Sequence, residues 1–221
     1  FQGGKVAFQK MAAGYRVVVT DEEAEEIKVA WREKHPRIVA FWRALEAAAY
    51  AAVQEPGTRF WAGEHISFVV SGSFLTMRLP SGRRLFYPYP RLEPRKTPWG
   101  DIKDVVTYMG IDTRTGSPTK GKWARLSSYG GKFAENATQA VARDCMRDAM
   151  LRLDAAGYPI VLHVHDEIVA EVKEGFGSLA EFNAIMREPP KWTNPEAAND
   201  NVAWSLLPVA VGGFEAPRYR K

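Results

Sequence analysis

The chain has 221 residues, 46% of them hydrophobic, and a formal net charge of +4, enough for one or two domains with a buried core. Its single cysteine, Cys145, excludes a disulfide framework and a cysteine metal centre. No continuous apolar span is long enough for a membrane helix, and no basic-then-apolar leader opens the chain. A soluble intracellular protein with no membrane partner is the expectation.

In chain order, Thr20 is a predicted N-cap, with Glu23 as its capping-box partner and acidic residues in the first turn. The helix that follows spans Asp21–Lys34 and is predicted to bury Ala24, Ile27, Ala30 and Trp31. Pro36 opens a second helix to about Val53, with Ile38, Trp42, Leu45, Ala49 and Ala52 as its inner stripe, and Pro56-Gly57 ends it. Residues 59–88 alternate in short strand-like runs around Gly72 and Pro80-Ser81-Gly82. Residues 89–122 are rich in Pro, Gly, Lys and Thr and read as loops, with one or two strands near 105–109. A long helix is predicted over 131–156, with Gly157 as its C′ residue. After a β-hairpin, 178–187 reads as a short amphipathic helix broken by Pro189-Pro190. A loop over 194–201 and a last strand over 207–212 complete the chain.

The charge distribution says more than the net value. Arg83, Arg84, Arg91, Arg95 and Lys96 are followed by Arg114, Lys120, Lys122, Arg125 and Lys132, with Tyr87, Tyr89, Trp99 and Trp123 interleaved. Cations mixed with aromatics fit a phosphate-contacting surface; a solvated basic loop is the plainer alternative for any one of them. On the long helix, Lys132, Glu135, Asn136, Gln139, Arg143 and Arg147 recur at three- and four-residue spacing and share a face. Phe133, Ala137, Val141, Cys145, Ala149 and Leu153 make most of the rest apolar, with Cys145 a small packing residue. The polar stripe is either a solvated face or a contact surface.

The hairpin carries the chemistry. The approach strand Pro159-Ile160-Val161-Leu162-His163-Val164 and the return strand Ile168-Val169-Ala170-Glu171-Val172 are short, β-branched and apolar enough to be buried. They place adjacent carboxylates, Asp166 and Glu167, at the tip. Mg2+ takes oxygen ligands and keeps waters and substrate phosphates in its shell, so one or two carboxylates suffice. Two such ions about 3.5–4 Å apart stabilise both the attacking and the leaving oxygen of a phosphoryl transfer. An acidic turn that is simply solvated is the alternative.

The order of these pieces narrows the choice. The run from Tyr129-Gly130-Gly131-Lys132 through Glu135, Asn136 and Gln139 to Arg143-Asp144 leads through a helix and Gly157-Tyr158-Pro159 into Val164-His165-Asp166-Glu167. In that order it resembles the family A DNA polymerases, most closely their phage-type members. The hairpin resembles their motif C, and the helix resembles the palm helix that lies along the primer–template minor groove. Leu79-Pro80-Ser81-Gly82-Arg83-Arg84 through Pro88 is similar to their glycine-arginine strand. Phe1-Gln2-Gly3-Gly4 through Phe8 is similar to the end of the fingers helix that carries motif B.

The resemblance covers essentially the whole chain, and it implies an α/β (α+β) fold: a palm with an antiparallel sheet over 59–221 and lower-fingers helices over 1–58. It implies transfer of deoxynucleotides from their triphosphates to a primer 3′-hydroxyl on template DNA, in the cytoplasm of a bacterial host or phage-infected cell. Two Mg2+ ions would be shared between Asp166, with Glu167 in support, and a motif A aspartate that this chain does not contain. His165 matches the histidine at the primer terminus, and Gln139 the minor-groove glutamine. Glu135 takes the position of a DNA-contacting asparagine, which here stands one residue later as Asn136. Arg143, Lys132, Arg83, Arg84 and Arg125 are expected to contact DNA. Phe1 stands near the template base, where the family usually has tyrosine.

Because Phe1 falls inside a fingers helix, an N-terminal polymerase portion, on the same or a separate chain, is an expected partner. The fragment alone is expected to be inactive. Two other readings stay open: a catalytically silent nucleic-acid-binding remnant, and an unrelated Mg2+-dependent phosphohydrolase.

Overall fold

A computed structural model describes residues 2–96, 100–193 and 209–218. The chain divides into two compact units, Phe1–Thr138 and Gln139–Lys221, with the boundary inside a helix. It mixes helices with antiparallel strands, as expected. Among the described residues, no helix is long and apolar enough to cross a membrane.

The first unit opens with α1 (Lys5–Gly14), α2 (Asp21–Lys34) and α3 (Pro36–Gln54). The capping box of α2 forms in both directions. The Glu23 N–H donates to Thr20 Oγ1 at 3.2 Å, and the Thr20 N–H donates to Glu23 Oε2 at 2.9 Å. Acids crowd the positive end of the helix dipole while Arg32 and Lys34 sit in the last turn. Pro36 occupies the first turn of α3, where its missing N–H costs nothing.

The inner stripe of α3 buries Trp42, Leu45, Ala48, Ala49 and Ala52, but Ile38 stays 39% exposed. On α2 only Ala24 is buried; Ile27, Ala30 and Trp31, expected inside, are exposed. Helical spacing says which residues share a face, not that something covers it. Trp31 instead stacks on His35 and Trp42, with ring centroids 4.3 and 5.8 Å away.

Four strands follow: β1 (Phe60–Ala62), β2 (Ile66–Ser71), β3 (Phe74–Arg78) and β4 (Arg84–Pro88). They form a meander of that order. Side chains alternate between its faces. One face carries Phe68, Val70, Leu75, Met77 and Tyr87 into the core, and α3 packs on β1 and β2. The expected division at residue 58 therefore falls inside this unit, between elements that touch. Phe133 closes the core edge-on to Phe68 and Tyr87, at 5.2 and 5.4 Å.

A second sheet has the order β5 (Arg91–Lys96), β6 (Ile102–Ile111), β7 (Trp123–Ser127); β6 contains the strand expected near 105–109, and β5 lies where a loop was expected. β5 holds Pro94, paired with Asp104. β5 is an edge strand, where a residue without an N–H is tolerated.

The helix α4 (Gly130–Ala155) begins under tight constraint. A Cβ on Gly130 would lie 2.0 Å from the Trp42 carbonyl oxygen, so only glycine fits. The Gly130 N–H donates to Glu46 Oε2 at 3.0 Å, and the Gly131 N–H to Gln2 Oε1 at 2.7 Å. Glu46 also binds Lys103 Nζ at 2.6 Å.

In the second unit α4 ends as expected at Gly157 (φ 85°). The Gly157 N–H donates to the Asp154 carbonyl and the Tyr158 N–H to that of Leu153, both at 3.0 Å, a Schellman stop. The hairpin β8 (Ile160–Val164) and β9 (Glu167–Ala170) follows, then α5 (Leu179–Arg187), capped by Ser178. Tyr158 is the hub here. It meets Phe176 and Phe182 edge-on at 5.1 and 5.2 Å and donates to Glu181 Oε2 at 2.7 Å. The expected last strand lies partly outside the described residues; its described part, 209–212, is not a strand. The loop over 194–201, and Trp99, also lie outside them.

Candidate catalytic hairpin and nucleic-acid-facing helix

Val164 pairs with Glu167, which leaves His165-Asp166 as a two-residue turn. That register corrects the expectation that both acids occupy the tip. Asp166 is exposed in the turn, whereas Glu167 is the first residue of β9 and half-buried. Two-residue hairpins need positive φ in the turn to match strand twist, and His165 supplies it at 52°. A histidine there carries strain of about 1–3 kcal/mol, a cost found most often at functional sites. The strands are also less covered than expected: Val161 is 56% and Leu162 42% exposed.

Among the described residues, no group of three or more His, Cys, Asp or Glu side chains could hold a metal ion. Asp166 and Glu167 supply oxygen donors only, the type Mg2+ prefers. Alone they would supply only part of such an ion's ligand shell.

The polar stripe of α4 separates into committed and open residues. Lys132 and Glu135 pair at 3.0 Å. Asn136 Nδ2 donates to Tyr87 Oη at 3.0 Å, against a phenol whose pKa burial pushes up. Arg147 is bound to Asp148, which also accepts from Trp192 Nε1 at 2.7 Å. Arg143 is exposed, its Nη1 3.7 Å from the Met150 sulfur. Gln139 is exposed with no side-chain hydrogen bond among the described residues, so both ends of its amide are presented outward. Cys145 is half-buried, as a packing residue should be.

Among the expected phosphate contacts, Arg125 turns inward. Its Nη1 donates to the Tyr89 carbonyl at 3.0 Å and to Thr107 Oγ1 at 3.1 Å, and its Nε lies 3.4 Å from Glu93. Arg84 is exposed on β4, and Arg83 is half-buried beside it. Phe1 lies outside the described residues.

Two buried acids escaped the sequence reading. Asp112, at the end of β6, is bound by Arg114, Ser117 and Thr119. A short Gly/Pro loop carrying Ser and Thr just after an Asp was the available signal. Asp144 lies 4.0 Å from Arg147 and is buried; its spacing from Ala137 and Ala140 already put it on the inner face. Near the Asp112 loop, burial pushes the Tyr108 phenol up, while the Lys132 and Arg114 cations pull it partly back.

The structure is a mixed helix and antiparallel-sheet chain in which a hairpin with Asp166 in its turn follows, in sequence, a long helix with an exposed glutamine. Along its whole length the sequence is similar to part of a phage protein. It is 39% identical over 222 aligned positions to a DNA polymerase of Bacillus phage SP02, an alignment taking in 100% of this chain and 31% of that protein. The chain thus spans about a third of the length of that relative. No protein-family model matches the sequence, and no solved structure matches it.

Proposed function

We propose that this chain is the C-terminal, palm and lower-fingers part of a phage-type family A DNA polymerase, which extends a primer by two-metal-ion nucleotidyl transfer. One observation carries the reading. A tight turn holding Asp166 comes directly after the helix that presents Gln139, in a chain similar from end to end to part of a phage DNA polymerase.

In the complete enzyme, a primer 3′-hydroxyl attacks the α-phosphate of a deoxynucleotide and pyrophosphate leaves. Asp166, with Glu167 in support, would hold Mg2+ jointly with an aspartate outside this chain. When bound, the cations supply charge stabilisation at the attacking and leaving oxygens. The protein's remaining work is positioning. The short hairpin fixes the Asp166 carboxylate, and His165 stands beside it at the primer end. The Gln139 amide, donor and acceptor at once, can address minor-groove acceptors that recur for every base pair.

Primer extension tests the proposal. The 221-residue chain alone is expected to incorporate nothing, and the chain joined to the remaining two-thirds of a phage polymerase to extend a primer in Mg2+. Extension by the chain alone overturns the fragment reading. An inert joined enzyme that still binds primer–template favours the silent DNA-binding remnant.

A further inference from the structure

The outer face of the four-stranded sheet is unlike an ordinary solvated sheet face. By register, Trp61, Ser67, Arg78 and Arg84 form one cross-strand row, and Val69, Thr76 and Phe86 form the next. Phe74 and Pro88 share a third. Trp61 is 49%, Phe74 42% and Phe86 59% exposed. Phe74 and Phe86 meet edge-on at 5.8 Å and 89°. No Asp or Glu occurs in any of the four strands.

Arg78 and Arg84 stand directly opposite each other. Like charges so placed destabilise a strand pair, and among the described residues neither has a carboxylate partner. Among the described residues, the face therefore combines three exposed π-surfaces with two adjacent cations that have no carboxylate partner. One ligand chemistry supplies flat rings and negative charge together: an unpaired polynucleotide strand, whose bases stack on aromatic side chains while its phosphates meet arginines. A four-stranded antiparallel sheet with exposed aromatics has room for two or three bases.

We propose that this face binds single-stranded DNA, with Trp61, Phe74 and Phe86 as the stacking platform and Arg78 and Arg84 as its phosphate contacts. It rests on the polymerase reading only for the strand's identity, the unpaired template ahead of the primer end.

Anisotropy titrations of the 221-residue chain test it, using a labelled oligodeoxythymidine, a blunt duplex and an abasic strand of equal phosphate number. Phe86→Ala should weaken oligodeoxythymidine binding by about five- to 150-fold, the span of one lost base–aromatic stack, and leave the blunt duplex and abasic strand unchanged. Phe86→Trp should restore it. Arg84→Ala should weaken single strands with and without bases and flatten the salt slope by about 0.7.

If Phe86→Ala leaves single-strand affinity intact while the chain still binds duplex, the platform is overturned and the polymerase reading stands. If the chain binds the single strand at this face and Gln139→Ala leaves duplex binding intact, the platform stands and the primer–template role of α4 falls. If Phe86→Ala instead dissolves a concentration-dependent dimer seen by sedimentation, the face is a self-interface and the proposal fails.

Discussion

Arg114 grips Asp112 fork to fork, with Nε on Oδ1 and Nη2 on Oδ2, each at 2.9 Å. The carboxylate is wholly buried and the guanidinium 63% exposed. The Arg114 N–H and the hydroxyls of Ser117 and Thr119 fill the remaining acceptor positions of Asp112. One buried charge thus fixes the path of the loop that carries Arg114, Lys120 and Lys122.

Those hydrogen bonds, Arg114 first, hold the Asp112 carboxyl far below the usual carboxylate range. A depressed folded-state pKa means that its stabilisation is complete above the unfolded value of roughly 4 and is lost as pH falls through the folded value. The amide NMR signals of Arg114 and Gly121 should therefore be constant from neutral pH down to about 4 and move only in stronger acid. Asp112→Asn should open the loop at neutral pH, with proteolytic cleavage there at least about tenfold faster. Changes in those signals between pH 7 and 5 would contradict this.

Arg125→Ala should cost folding stability rather than DNA affinity. It leaves the Tyr89 carbonyl and Thr107 hydroxyl without a donor, a loss of about 1–3 kcal/mol in denaturant unfolding. The salt slope of DNA binding should not change. A slope flattened by about one charge would restore its expected role as a phosphate contact.

Gln139→Ala is expected to weaken primer–template binding by roughly 0.5–1.5 kcal/mol without altering thermal stability, because its amide is committed to nothing in the described structure. Asn136→Ala should do the reverse and destabilise the protein by unpairing buried Tyr87. Parallel melting curves and binding titrations of the two variants separate these outcomes.

In a complete polymerase, Asp166→Asn should lower kcat on the order of 10³-fold or more, since one metal's charge stabilisation is worth several kcal/mol. Glu167→Gln should cost markedly less, because Glu167 begins the strand rather than occupying the turn. Equal losses measured by single-turnover incorporation would mean that both carboxylates are direct ligands.

Gly177 has φ 62°, and a Cβ there would lie 2.2 Å from Tyr158 Oη. Gly177→Ala should destabilise the protein by about 2 kcal/mol or more. The cost should shrink in a Tyr158→Phe background, which removes the struck oxygen. Additive unfolding free energies in the double-mutant cycle would show that backbone strain alone is responsible.

Features settled by neighbours in sequence were legible. Thr20 and Glu23, three apart, announced their capping box, and Gly157 announced the stop of α4. Pro159 through Val172 announced a hairpin. What depended on distant partners was not. Arg125 looks free until the Tyr89 carbonyl, 36 residues away, accepts its hydrogen bond, and Asn136 until the Tyr87 hydroxyl, 49 residues away, does so. Nothing in the spacing of Ile27 and Trp31 states whether a neighbour covers them. The hairpin's register needed one more fact, the length of its turn, which decides whether Glu167 belongs to the loop or the strand.

The bond between the Glu46 carboxylate and the Gly130 N–H also orders the protein's assembly. Its partners are 84 residues apart, and closing so long a loop costs about 4 kcal/mol of chain entropy at the logarithmic rate. The hairpins β2–β3 and β3–β4 close over turns of a few residues and repay their ordering locally. The meander and α3 can therefore form early, leaving a surface over Trp42 and Glu46 that waits for Gly130. On a ribosome that wait lasts until the whole second sheet has emerged, so the start of α4 docks last on a platform already built.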